Sequence, residues 1–154
     1  MKDCLILWEQ LGASAELVIF LLGVVVASSA YLLQNFTLNP YLRYKNTVGD
    51  VRAKLRMHAN VFGNDVMEPK AQAASDDFRE LSCELERNYY GIGACWLLAP
   101  VLPHKKDISE ASQLLTRLSN SAFDKGVNAV TRCHQDAVDI KILLKIEKLN
   151  KKGA

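Results

Sequence analysis

The chain holds three imidazoles, His58, His104 and His134, and four thiols, Cys4, Cys83, Cys95 and Cys133. These are the side chains that do proton transfer, nucleophilic attack or metal binding near neutral pH. A general base needs a group that orients it and a group that gives up a proton. His58 stands among basic residues, His104 lies in Pro103-His104-Lys105-Lys106, and His134 follows Cys133. No neighbour in sequence completes a relay, so all three read as surface or partly buried histidines. Cys-x-x-Cys and His-x-x-x-His pairs are both missing, which argues against a metal centre. Glu80 and Glu84 lie one helical turn apart, but no His follows a Glu at the spacing that dimetal bundles use. Gly91-Ile92-Gly93 lacks the third glycine of a dinucleotide loop, and Gly-x-x-x-x-Gly-Lys is missing. These residues lean away from an enzyme and give no catalytic, cofactor or metal site.

A surface chemistry is better supplied. Lys141, Lys145, Lys148 and Lys152 recur at steps of four, three and four, which is one face of a helix. Such a face suits anionic headgroups at roughly 1 kcal/mol per Lys, and it equally suits plain solvation, the blander and favoured reading. Trp96 sits in an apolar stretch from Ala94 to Leu102, broken by Pro100. That stretch is too short to span a bilayer. Packing over the core is the favoured expectation, because apolar helix faces need cover. Dipping into the membrane surface, where Trp is at home, is the alternative.

These residues are positioned by an anchor and a body. No charge stands between Glu16 and Arg43. At about 1.5 Å per residue, Leu17 to Phe36 covers the roughly 30 Å of a hydrocarbon core. Ser28 and Ser29 can return their hydroxyls to helix carbonyls. A cleaved signal peptide is the rival reading, with Ser28 and Ala30 as a cleavage site. It wants a positive start, whereas Lys2 is outweighed by Asp3, Glu9 and Glu16. Arg43, Lys45, Arg52, Lys54 and Arg56 follow the span against Asp50 alone. Basic flanks favour the cytoplasmic side. The expected layout is therefore an extracytoplasmic segment 1–16, a transmembrane helix 17–36 and a cytoplasmic domain 40–150. Gly23 and Ala27 form one small-xxx-small pair for span packing, a pattern also common by chance.

The body is expected to be all-α, a small bundle of about four helices in two hairpins. Cys4 to Leu11 reads as a short amphipathic turn, set off from the span by Gly12-Ala13-Ser14. Asn39-Pro40 reads as a helix start, with Tyr44, Val48, Val51, Leu55, Ala59 and Phe62 on its apolar face and Gly63-Asn64-Asp65 at its end. The next helix opens at Glu68-Pro69 or Ser75-Asp76-Asp77. It buries Ala71, Ala74, Phe78, Leu81, Leu85 and Tyr89 and turns an acidic face outward. A basic helix followed by an acidic one suits an antiparallel hairpin. Asp107-Ile108-Ser109-Glu110 has the form of a capping box, with Asp107 as the cap. Ile108, Ala111, Leu114, Leu115, Leu118 and Ala122 follow at helical spacing. A last helix, Val127 to Leu149, carries Val138, Ile142, Ile146 and Leu149 as its apolar stripe.

Residues from Pro40 onward hold 18 Lys and Arg against 14 Asp and Glu, too weak an excess to imply nucleic acid. The body's three cysteines lack the spacing of a disulfide framework, which suits reduced thiols in the cytoplasm. Leu102-Pro103-His104-Lys105-Lys106-Asp107-Ile108-Ser109-Glu110-Ala111, continuing to Leu118-Ser119-Asn120-Ser121, resembles a pattern in small bacterial single-pass membrane proteins of uncharacterised activity. The resemblance implies an inner-membrane protein with a helical cytoplasmic body and carries no activity with it. The expected role is a non-enzymatic scaffold or regulator of a membrane-proximal partner. The expected partners are the lipid bilayer and either a second copy or another membrane protein. The alternative is a membrane-active effector whose oligomerised spans perturb the bilayer.

Overall fold

The apolar run and the helical periodicities produce an all-helical molecule. A computed structural model describes residues 2–62, 67–93 and 98–146, with side chains from residue 15 onward. Its elements are α1 (Lys2–Leu33), a π-helical turn (Gln34–Leu38), α2 (Asn39–Met57), α3 (Glu68–Tyr90), α4 (Lys105–Ser121) and α5 (Val127–Leu143). Among the described residues four helices form the body, in two hairpins: α2 packs on α3 and α4 on α5, while α3 against α4 is the largest contact and joins them.

Two expected breaks are not there. Residues 2–33 form one helix, so Gly12-Ala13-Ser14 does not separate a terminal turn from the apolar run. Glycine costs only about 1 kcal/mol in a helix, which good helix formers around it can offset. Nor does the chain restart at Asn39-Pro40. Leu38 and Asn39 are both right-handed helical, and the Asn39 amide donates to the Gln34 carbonyl. Proline clashes with the carbonyl four residues back. One wide π-turn makes room for that ring without ending the helix.

The core follows the expected spacings in α3 and α4. Ala71, Ala74, Phe78, Leu81, Leu85 and Tyr89 are buried, as are Ile108, Ala111, Leu114, Leu115, Leu118 and Ala122. α2 buries Tyr44, Val51 and Leu55 but ends at Met57, leaving Ala59 exposed and Phe62 buried in the following turn. The Gly63-Asn64-Asp65 end signal lies outside the described residues. α4 begins one turn before the expected cap: His104 is the N-cap, and Asp107, at the third helical position, accepts from the His104 amide at 3.2 Å.

α5 departs most. It ends at Leu143, not Leu149, and its buried face is Ala129, Cys133, Asp136 and Ile140, continued by Leu144. Val138, Ile142 and Ile146 are only half-buried. The buried face includes a carboxylate, so apolar spacing alone selects the wrong stripe. Asp136 is tolerated inside because Arg117 of α4 binds it through two guanidinium nitrogens, Nε donating to Oδ2 at 2.7 Å and Nη2 donating to Oδ1.

Between α3 and α4 the interface is built from hydroxyls. Ser75 and Ser119 meet at 3.0 Å, and Ser82 lies 2.9 Å from both Ser112 and Thr116. Among the described residues no buried side-chain polar atom lacks a partner, so the hydrogen bonds offset the desolvation of these small residues, which hold the helices close. Ser119 of the Leu118-Ser119-Asn120-Ser121 stretch is thus a packing residue.

Candidate functional site

The α1 end of the bundle gathers four tyrosines and two lysines. Pro40 has no amide hydrogen to give the Phe36 carbonyl. The Gly93 amide takes that place and donates to Phe36 O at 3.0 Å. This bond docks the loop after α3 onto the helix at the last residue of the apolar run. A side chain at 93 would sit 3.2 Å from that oxygen, tighter than most real contacts, so glycine allows the approach. Thr37, beside the joint, is already buried, so the body's packing begins inside the π-turn.

Around this joint stand Tyr41, Tyr44, Tyr89 and Tyr90, every tyrosine that follows α1. Tyr44 meets Tyr89 edge-on at 5.7 Å, and Tyr89 meets Tyr90 the same way at 5.7 Å. Tyr89 donates its hydroxyl to the Pro103 carbonyl at 2.9 Å. Lys105 lies over the Tyr90 ring at 4.9 Å, and Lys45 lies 6.0 Å from the Tyr41 centroid. Burial, reinforced by Tyr89 and Tyr41, pushes the Tyr44 phenol well above its ordinary value, so it stays neutral. Tyr44 and Tyr89 are core residues; only Tyr90, 49% exposed, and partly buried Tyr41 reach the surface, each with a lysine beside it, the pairing that a membrane-water boundary favours. This collar escaped sequence reasoning because its members come from three elements; the Tyr41–Tyr44 and Tyr89–Tyr90 spacings were the available signal.

The expected lipid-contact residues fare differently. Lys141 lies on α5, but Lys145 follows the helix end with φ 55° and gives its ammonium to the Leu102 carbonyl at 3.1 Å. The expected single lysine face is therefore interrupted after Lys141. Lys148, Lys152 and Trp96 lie outside the described residues. Of the apolar stretch around Trp96, Leu98 and Leu102 pack on the core and Val101 is exposed. Gly23 and Ala27 both lie on the exposed α1, and a Cβ at Gly23 would meet nothing within 4 Å. Ser29 returns its hydroxyl to the Val25 carbonyl at 2.7 Å.

His58, expected at the surface or partly buried, is buried. Its Nε2 lies 2.6 Å from Asp77 Oδ2, and Lys54 Nζ reaches the same oxygen at 2.8 Å. Partial burial pushes the Asp77 carboxyl up, but the hydrogen bonds and charges of Lys54 and His58 outweigh it and hold the group below the usual carboxylate range. His58 also meets the Phe78 ring edge-on at 5.6 Å. No nucleophile joins the pair among the described residues, so it reads as the ionic clasp between basic α2 and acidic α3. Cys83 and Cys133 are free thiols, and burial pushes the Cys133 thiol up, away from reactivity. Among the described residues no three His, Cys, Asp or Glu side chains are placed to hold a metal.

The α1 run itself is bare. The apolar window of the continuous stretch Ala15–Met57 has mean hydropathy 2.2, none of it buried. It is long and apolar enough to cross a membrane, and it is not a core helix of this body. No protein-family model, curated protein or solved structure matches the chain.

Proposed function

We propose that the protein is a single-pass membrane protein, with its N-terminus outside and its helical body held against the cytoplasmic face. Its role is a non-enzymatic scaffold or regulator of a membrane-proximal partner. One observation carries this reading: the wholly exposed apolar helix runs without a break into the body. A flexible tether would let the body wander, whereas a continuous helix pinned at Phe36–Gly93 holds one end toward the bilayer. The tyrosine collar and Lys45 and Lys105 stand at that end, which supports both the depth and the basic-inside direction.

Cysteine labelling tests the topology. Cys4 would face outward, and exposed Cys83 would face inward. A membrane-impermeant maleimide should label Cys4 in intact spheroplasts and Cys83 only after lysis; the reverse order overturns the orientation. The effector alternative makes a different demand. Overexpression should leave a potential-sensitive dye unchanged for a scaffold, while span-dependent depolarisation would favour an effector.

A further inference from the structure

A second feature lies away from the collar. The extensive helix contacts are α2 with α3, α3 with α4 and α4 with α5, so α2 and α5 are the outer members of the stack. A cavity of about 230 Å³ opens between them. α5 lines it with Val130, Cys133, His134, Ala137, Val138 and Lys141, a stripe of about 16 Å at 1.5 Å per residue. Leu55, Ala59 and Phe62 form the opposite wall, with Arg56 at its edge. None of the lining residues is acidic, while Arg56, His134 and Lys141 are basic.

We propose that this groove receives an amphipathic helix of a partner protein. Its apolar face would fill the cavity and its carboxylates would meet Arg56 and His134. The proposal rests on the scaffold reading and names the partner's chemistry. Three observations favour such an occupant. The basic lining is complementary to acid and repels a basic segment. Leu55 lies roughly 28 Å beyond Phe36 along the helix axis, out of reach of an acyl chain rooted in the bilayer. Exposed apolar surface continues along α5 past the cavity, from Val130, which is 41% exposed, to Val127 one turn earlier, which is 81% exposed. A small amphiphile would leave these side chains wet, whereas a docked helix covers them.

The test uses the full chain in phosphatidylcholine nanodiscs, with empty discs as the blank. The probe is a fluorescent leucine–glutamate amphipathic peptide; its leucine–lysine counterpart and lauric acid are the controls. The acidic peptide should bind at least about tenfold tighter than the basic one. Ala137→Trp, which fills the groove, should abolish that binding, and Arg56→Glu should weaken it by a similar factor. Arg56 is exposed, so that variant keeps the test decisive even where Ala137→Trp fails to fold by circular dichroism. Equal binding of the two peptides, or binding untouched by Arg56→Glu, overturns the proposal. So does lauric acid binding where neither peptide binds. A chain that stays in membranes yet ignores the acidic peptide refutes the groove and leaves the anchor standing.

Discussion

Among the described residues, two regions that bare apolar side chains differ in kind. On α1 the apolar surface runs all round the helix, with no charge between Glu16 and Arg43 and none of the window buried. Between α2 and α5 the apolar surface is one-sided, concave and bordered by Arg56, His134 and Lys141. Lipid has no shape to match and no fixed sign to answer, so a helix suited to it can be uniform. A folded partner has both, so the surface that meets it needs a groove and a charge. On the proposed reading, the difference separates an anchor from a docking face.

The comparison breaks most readily at the anchor. Leu22→Arg with Val25→Arg places two charges in the span, at about 2.5–3.5 kcal/mol each at the bilayer centre. Membrane retention should be lost while the body's helical signal persists. The groove wall is next. Arg117→Ala leaves the Asp136 carboxylate, whose side chain is 3% exposed, without its partner. Because Arg117 itself is half-exposed, the expected loss is about 2–3 kcal/mol, below that for a fully buried pair. A urea melt would read this as instability of α5 against α4. The joint between the two surfaces should be softer. Gly93→Ala crowds the Phe36 carbonyl and endangers one hydrogen bond, a cost of about 1 kcal/mol, visible as a lower Tm.

Acid provides a milder perturbation at the far end. Asp77 has a lowered folded pKa. Its contribution is therefore fully present above its unfolded value of about 3.9 and is lost as pH falls through the folded value. Asp77→Asn should flatten that acid limb of the stability profile. Smallest of all, Gly49 is an exposed helical glycine where an added Cβ meets nothing within 4 Å. Gly49→Ala should stabilise the body by about 0.5–1 kcal/mol in thermal unfolding.

Periodicity made the inner faces of α3 and α4 legible, because their buried apolar positions fall every three or four residues, while the buried serines between them, Ser75, Ser82, Ser112 and Ser119, gave no such signal. It misled in α5, where the face carries Asp136 and the partner that makes this tolerable lies in another helix. The lysine steps were real in sequence, but Lys145 takes a left-handed backbone after α5 has ended. Asn39-Pro40 has the signature of a helix start, yet the π-turn absorbs the proline. Only a tertiary partner, the Gly93 amide, fills the vacancy that it leaves. The collar and the groove were illegible for the same reason: each is assembled across elements.

Alkaline carbonate extraction of native membranes, followed by N-terminal analysis of the retained chain, tests the anchor most directly. The expected result is that the protein stays in the pellet with residues 17–36 intact. Release into the supernatant, or a mature chain beginning near Tyr31, would contradict a lipid-embedded α1 and the scaffold built upon it.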